Sequence, residues 1–219
     1  MLKRIMMLAM AVALVAAFAL PAGASASLWK DHAQVLAQNA QLQLTGNAKF
    51  SGGLGSVDCQ TTSQLTATAG TGTGNVTQFE PDLDEANSTV TSKCKTGGFL
   101  VACQVHQVEA TGLPWVVHNE TTRVEITSGD IHFGLTGGFC PAQNGTVTTV
   151  NAAKGHTVTA TPNQPKTVSS FTLSGNVEVH LYNGSATPFR SETAAVSGTQ
   201  TILSNASECT SAPATYSLE

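Results

Sequence analysis

Charged side chains are scarce in this 219-residue sequence, in which Asp, Glu, Lys and Arg together make up 11%. Only ten residues are Lys or Arg, and they are scattered without a basic cluster, so that the formal net charge is -4 at pH 7. Proteins that bind nucleic acid carry clustered positive charge on one face. The sequence therefore predicts that nucleic acid is not a partner.

Motifs for catalysis or metal binding are also lacking. The chain contains no GxSxG, HxH or HExxH spacing and no cysteine in a recognised catalytic context. The sequence therefore predicts no enzyme activity and no cofactor. A secreted hydrolase or metal enzyme is the third and least favoured function.

Long apolar runs are confined to the start of the chain. A basic start precedes an apolar run from Ile5 to Leu20, and small residues follow, which is the pattern of a secretory signal peptide. The run is too short and too close to the cleavage signals to predict a membrane anchor. We expect a signal peptide at residues 1–26 and a mature chain from Ser27, with a cut after Ala24 as the alternative. The processed protein is expected to be secreted, extracellular and not membrane-spanning.

Alternation of apolar and polar residues dominates the rest of the chain. The clearest case is Ser170–Tyr182, in which Gly175 on the apolar face predicts a bend or a close approach of backbone. Similar patterns occur at 41–51 and 123–135, the last with a slip of phase that predicts a bulge. About thirty residues are threonine, which suits strands and predicts hydroxyl-rich polar faces. The sequence predicts a single all-β domain at 27–203, with about ten antiparallel strands, and a polar C-terminal tail at 204–219.

Two architectures and two binding functions fit these strands. An antiparallel β-sandwich is the preferred architecture, and a partly closed β-barrel is the alternative. The leading function is non-catalytic interaction with other proteins or envelope polymers through the hydroxyl-rich faces. The alternative is a small-ligand carrier, in which Gly46 and Gly175 on the apolar faces would make room inside a barrel.

Five cysteines lie in the part of the chain that is expected to be exported, where disulfides form. Two disulfides and one remaining thiol are the simplest arrangement. Cys94 and Cys103 flank a turn and are the preferred pair, which leaves Cys59, Cys140 and Cys209 for the second bridge. Because one thiol remains, a dimer linked by an intermolecular disulfide is an open alternative.

Four histidines fall at polar-face positions of predicted strands, namely His106, His118, His132 and His180, and the candidate metal ligands among them are His106, His132 and His180. Neighbouring strands can bring such residues within about 5 Å of each other. With Glu178, they form one candidate metal site. Solvated polar side chains are the plainer interpretation.

A second candidate metal site is the acidic segment that contains Asp82, Asp84 and Glu85. Calcium prefers oxygen-rich loops of this kind, but the residues that follow depart from the helical calcium-loop pattern. A solvated surface loop is the plainer interpretation, and no metal is predicted.

One resemblance extends over most of the mature chain. The signal-peptide pattern, Leu44–Phe50, the isolated Cys59, Cys94 and Cys103, and Gly112–Trp115 together resemble uncharacterised secreted proteins of actinobacteria. The resemblance implies export and a β fold. It brings no established activity and no functional residues.

Overall fold

The all-β prediction is confirmed. The computed structural model describes residues 28–37, 40–68, 72–81, 94–120, 122–142, 144–148, 157–164, 166–203 and 213–218. Within these ranges the chain forms fifteen strands and one 3-10 turn, η1 (Gly98–Leu100), and no α-helix. None of the helical structure in these ranges has the length and apolarity needed to cross a bilayer.

The strands are more numerous and more uneven in length than the ten or so predicted. In chain order they are β1 Trp29–Asp31, β2 Gln34–Val35, β3 Gln41–Gly52, β4 Gly55–Thr68, β5 Thr73–Pro81, β6 Cys94–Gly97, β7 Gln104–Thr111, β8 Trp115–Asn119, β9 Val124–Ile126, β10 Asp130–Thr136, β11 Asn144–Thr148, β12 Val158–Pro162, β13 Ser170–Tyr182, β14 Arg190–Ile202 and β15 Tyr216–Leu218. The bulged strand predicted at 123–135 is two strands, β9 and β10, which pair with different neighbours.

Eight of these strands close into a barrel. Their order is β12-β9-β8-β5-β4-β3-β14-β13, and β12 then pairs back onto β13 from Val158↔Gly175 to Pro162↔Phe171. The preferred sandwich is therefore not the architecture of this part of the chain, and the alternative, a barrel, describes it. The physical reason is that β12 pairs with β9 along one side and with β13 along the other, which removes the open edge that a sandwich would leave.

Four neighbouring strands of the barrel extend beyond it. These are β4, β3, β14 and β13, which have 12 to 14 residues each. Beyond the barrel, β6 pairs with β4, and β11, β10 and β7 follow β13. We call this second part the extension. Its two edge strands, β6 and β7, are linked through Thr96 in β6, whose hydroxyl donates to the carbonyl oxygen of Cys103, the residue before β7, at 2.6 Å. The long strands thus join the barrel and the extension around one continuous hydrophobic core.

Glycines mark the points where strands approach most closely. A Cβ atom on Gly46 would lie 1.8 Å from the Thr199 carbonyl oxygen, and one on Gly175 would lie 2.0 Å from the Thr157 carbonyl oxygen. The close approach that the sequence predicts at Gly175 is confirmed. The idea that these glycines make room for a ligand is wrong, because the backbone of a neighbouring strand already fills that space.

Residues 216–218, near the C-terminus, belong to the folded domain. Strand β15 pairs with β1, so that Trp29 lies opposite Leu218, and both side chains are buried. The Trp29 ring packs edge-on against Phe171 of the barrel, with centroids 5.6 Å apart. The prediction of a polar tail at 204–219 is therefore wrong for 216–218. These residues form a strand, but the polar residues that alternate with Tyr216 and Leu218 made the segment resemble a tail.

Two disulfides form within the chain, and neither is the predicted one. Cys59 bonds to Cys94, and Cys103 bonds to Cys140. The predicted Cys94–Cys103 pair is wrong because β6 pairs with β4 and not with β7, which places Cys94 directly opposite Cys59. Cys209 lies outside the described residues, and the disulfide-linked dimer stays a prediction.

Candidate functional site

The outer surface of five barrel strands carries an ordered array of hydroxyl groups. In the register of these strands, Thr62, Thr45 and Thr201 lie side by side in one row, and a second row contains Thr199 and Thr172. We call this array the hydroxyl face, which consists of Thr45, Thr62, Thr159, Thr161, Thr172, Ser174, Ser197, Thr199 and Thr201. Side chains in such rows lie about 4.8 Å apart across strands and about 6.7 Å apart along a strand.

No charged residue interrupts this face within its five strand segments. The segments are 41–48, 60–68, 158–162, 170–177 and 194–202. Charges lie at the borders, at Lys49 and Asp58 toward the extension and at Glu80 and Glu125 on neighbouring strands. The face is therefore polar and electrically neutral.

Most hydroxyls of the face are available to a ligand. Thr159 donates to the Ser174 carbonyl oxygen at 3.2 Å and also lies 3.0 Å from the Ser174 hydroxyl. Within the described part of the chain, the hydroxyls of Thr45, Thr172 and Thr199 make no hydrogen bond. A threonine hydroxyl can donate one hydrogen bond and accept two, so the face offers both donors and acceptors.

The three histidines of the first candidate metal site do not converge. His132 and His180 both lie opposite Thr146, on the two sides of β11, so a whole strand separates them. The His180 Nε2 atom is 3.8 Å from Glu178 Oε1, and its Nδ1 is 2.7 Å from the Ser191 hydroxyl. His106 lies over Gly134, outside this pair. In the described ranges no three His, Cys, Asp or Glu residues form a group that could hold a metal ion.

The acidic residues of the second candidate metal site, Asp82, Asp84 and Glu85, lie outside the described residues.

The barrel interior contains a small, partly open cavity of about 60 Å³. All eight strands contribute to its wall, which is apolar except for Ser63 on β4 and Gln200 on β14. This volume is well below the several hundred Å³ of pockets that hold drug-sized molecules. A carrier function for molecules of that size is therefore not favoured.

A set of exposed apolar side chains lies at the far end of the extension. We call it the apolar cap, formed by Phe99, Val101 and Phe139, which are 42%, 72% and 92% exposed. The Cys103–Cys140 disulfide ties the two loops of the cap together. The Arg190 guanidinium lies 5.0 Å from the Phe99 ring centroid, which is the distance of a cation–π contact.

Two functional candidates were not predicted, although each leaves a signal in the sequence. Gly-Gly-Phe occurs twice, at 97–99 and 137–139, each time close before a cysteine of the same disulfide. Gln200 occupies an apolar phase of β14, between Gly198 and Ile202. The repeated Gly-Gly-Phe motif would have identified the apolar cap. The inward position of the polar Gln200 would have identified the cavity.

No family model matches this sequence, and no curated protein or solved structure matches it either. The resemblance to secreted actinobacterial proteins stays a prediction.

Proposed function

We propose that this protein is a secreted, non-catalytic domain that binds a neutral polymer of the cell envelope through the hydroxyl face. The observation that carries this proposal is the array of exposed, uncharged hydroxyl side chains in register across five strands. A polysaccharide offers a matching surface, because its own hydroxyls both donate and accept hydrogen bonds. The rigid sheet holds the protein hydroxyls in place, which lowers the entropy lost on binding.

Export is the second part of the proposal. Four of the five cysteines are paired in two disulfides. Disulfides persist in oxidising compartments and are rare in the cytosol. Together with the N-terminal signal-peptide pattern, this pairing supports a mature chain that begins at Ser27 and acts outside the cell.

Lysine at position 172 is expected to weaken polymer binding at least tenfold. Thr172 lies in the second row of the hydroxyl face between Thr161 and Thr199, so Thr172→Lys introduces a long charged side chain into the neutral array. Cosedimentation of the purified mature protein with insoluble chitin and cellulose, two neutral polysaccharides, measures the effect.

The matched control is Thr136→Lys, which adds the same charge at an exposed position in the extension and should leave binding unchanged. Thr172→Val keeps the branched shape and removes only the hydroxyl, and it should give a smaller loss. Equal binding by wild type and Thr172→Lys to every polymer retained by the wild type would contradict the proposal.

The apolar cap favours a second candidate function, which is contact with a protein partner. Aromatic residues are enriched in protein interfaces, and loops tied by a disulfide lose little freedom on binding. Phe139 is the most exposed of the large apolar side chains in the described ranges. Its side chain is therefore available to enter a pocket of a partner.

Serine at position 139 is expected to abolish such a contact. Protein recovered from culture medium by affinity purification of the wild type should be lost with Phe139→Ser, because the central anchor is removed. Val116→Ser, which removes a 41% exposed apolar side chain from the outside of the barrel, away from the cap, is the control. A partner retained by Phe139→Ser would locate the contact elsewhere.

A further inference from the structure

The barrel cavity is larger than one water molecule requires. Its volume is about 60 Å³, whereas a single water needs about 10–15 Å³ of such space. Val117, Leu173 and Ala160 are among the apolar residues of its wall. A cavity of this size admits a molecule of a few heavy atoms.

One polar group of the wall lacks a partner. Gln200 is 5% exposed, and its Nε2 atom donates to the Asn47 carbonyl oxygen at 3.0 Å and to Thr61 Oγ1 at 2.9 Å. Because the Asn47 carbonyl can only accept, the amide orientation is fixed. The Gln200 Oε1 atom has no hydrogen-bond partner among the described residues. A buried acceptor left in this state is unfavourable, and a donor that reached it would stabilise the barrel.

The chemistry of the wall selects the kind of donor. A buried water typically makes two to four hydrogen bonds, but Ser63 is the only other polar side chain on this wall. A molecule with one hydroxyl and a short alkyl chain would donate to Gln200 Oε1 and fill the apolar remainder. We propose that the barrel cavity is a binding site for a short-chain alcohol, held by Gln200. This inference does not depend on the hydroxyl face.

Two isomeric probes test the hydrogen bond. Ethanol and dimethyl ether have the same atoms, but only ethanol has a donor. In methyl NMR titrations of the mature protein, ethanol should shift the Val117 and Leu173 signals and bind at least tenfold more tightly than the ether. In Gln200→Leu this preference should disappear. The preference in the wild type is a sufficient test if that variant does not fold.

A cavity-filling variant tests the location. Ala160→Leu fills the space while leaving the Gln200 side chain in place, and it should lose ethanol binding. Val105 and Leu181, buried outside the cavity wall, provide control methyl signals. The proposal is overturned if ethanol shifts these controls as much as the cavity methyls, if Ala160→Leu binds ethanol as tightly as the wild type, or if ethanol and the ether bind equally.

Discussion

Alanine at position 46 is expected to destabilise the protein by at least about 3 kcal/mol. The added Cβ would lie 1.8 Å from the Thr199 carbonyl oxygen, and the next two atoms in its way also belong to the backbone of β14. A flexible side chain could move aside, but a paired strand cannot move without breaking its ladder. Gly46 does not have a positive φ, so the effect would be steric. Urea denaturation followed by circular dichroism measures the change.

Gly138→Ala is the matched control for this substitution. Nothing lies within 4 Å of the position its Cβ would take, and Gly138 has no positive φ either. Its free energy of unfolding should stay within about 0.5 kcal/mol of the wild type. Similar values for Gly46→Ala and Gly138→Ala would show that β3 and β14 do not approach as closely as described.

Removal of the Cys103–Cys140 bridge should lower the free energy of unfolding by about 3 to 4 kcal/mol. The two cysteines are 37 residues apart in sequence, so the bridge restricts a long loop of the unfolded chain. The double variant Cys103→Ala with Cys140→Ala removes it without adding a buried hydroxyl. Urea denaturation of protein purified from culture medium measures the loss.

Two further measurements distinguish the effect of losing the bridge from the effect of replacing the cysteine side chains. Wild-type protein with both disulfides reduced should be less stable than the double variant, because it also lacks the Cys59–Cys94 bridge. Mass spectrometry before and after reduction counts the bridges and reads the mature N-terminus, expected at Ser27. A loss below about 1 kcal/mol in the double variant would contradict the expected role of this bridge.

The strands themselves were predictable because alternation is a local property. The pattern over Ser170–Tyr182 predicted a strand whose observed bounds are the same. The close approach at Gly175 followed from one missing side chain on an apolar face. Both predictions needed only residues that are close together in the sequence.

The pairing partners were not predictable in the same way. Closure of the barrel depends on β12 pairing with both β9 and β13, and an alternating pattern does not say which strand lies beside it. The disulfide prediction failed for this reason. Cys94 and Cys103 are close in sequence, but the register of β6 on β4 assigns Cys94 to Cys59, 35 residues away.

The candidate site was predictable in composition and not in arrangement. Abundant threonine predicted hydroxyl-rich faces, but the rows that join Thr62, Thr45 and Thr201 exist only because three strands pair in one register. The histidine site failed for the same reason, because the order of the strands does not follow from the alternating pattern. His132 and His180 are in suitable phases, yet β11 lies between their strands.

The pairing of β1 with β15 determines how the molecule is presented to its surroundings. Trp29 and Leu218 lie side by side, so segments attached before and after them leave from one pole. This pole adjoins Phe171, whereas Phe99 lies beside Arg190 at the start of β14. The 13 residues of β14 span roughly 40 Å. A chain tethered at either terminus would therefore hold the apolar cap at the end of β14 that lies away from the tether.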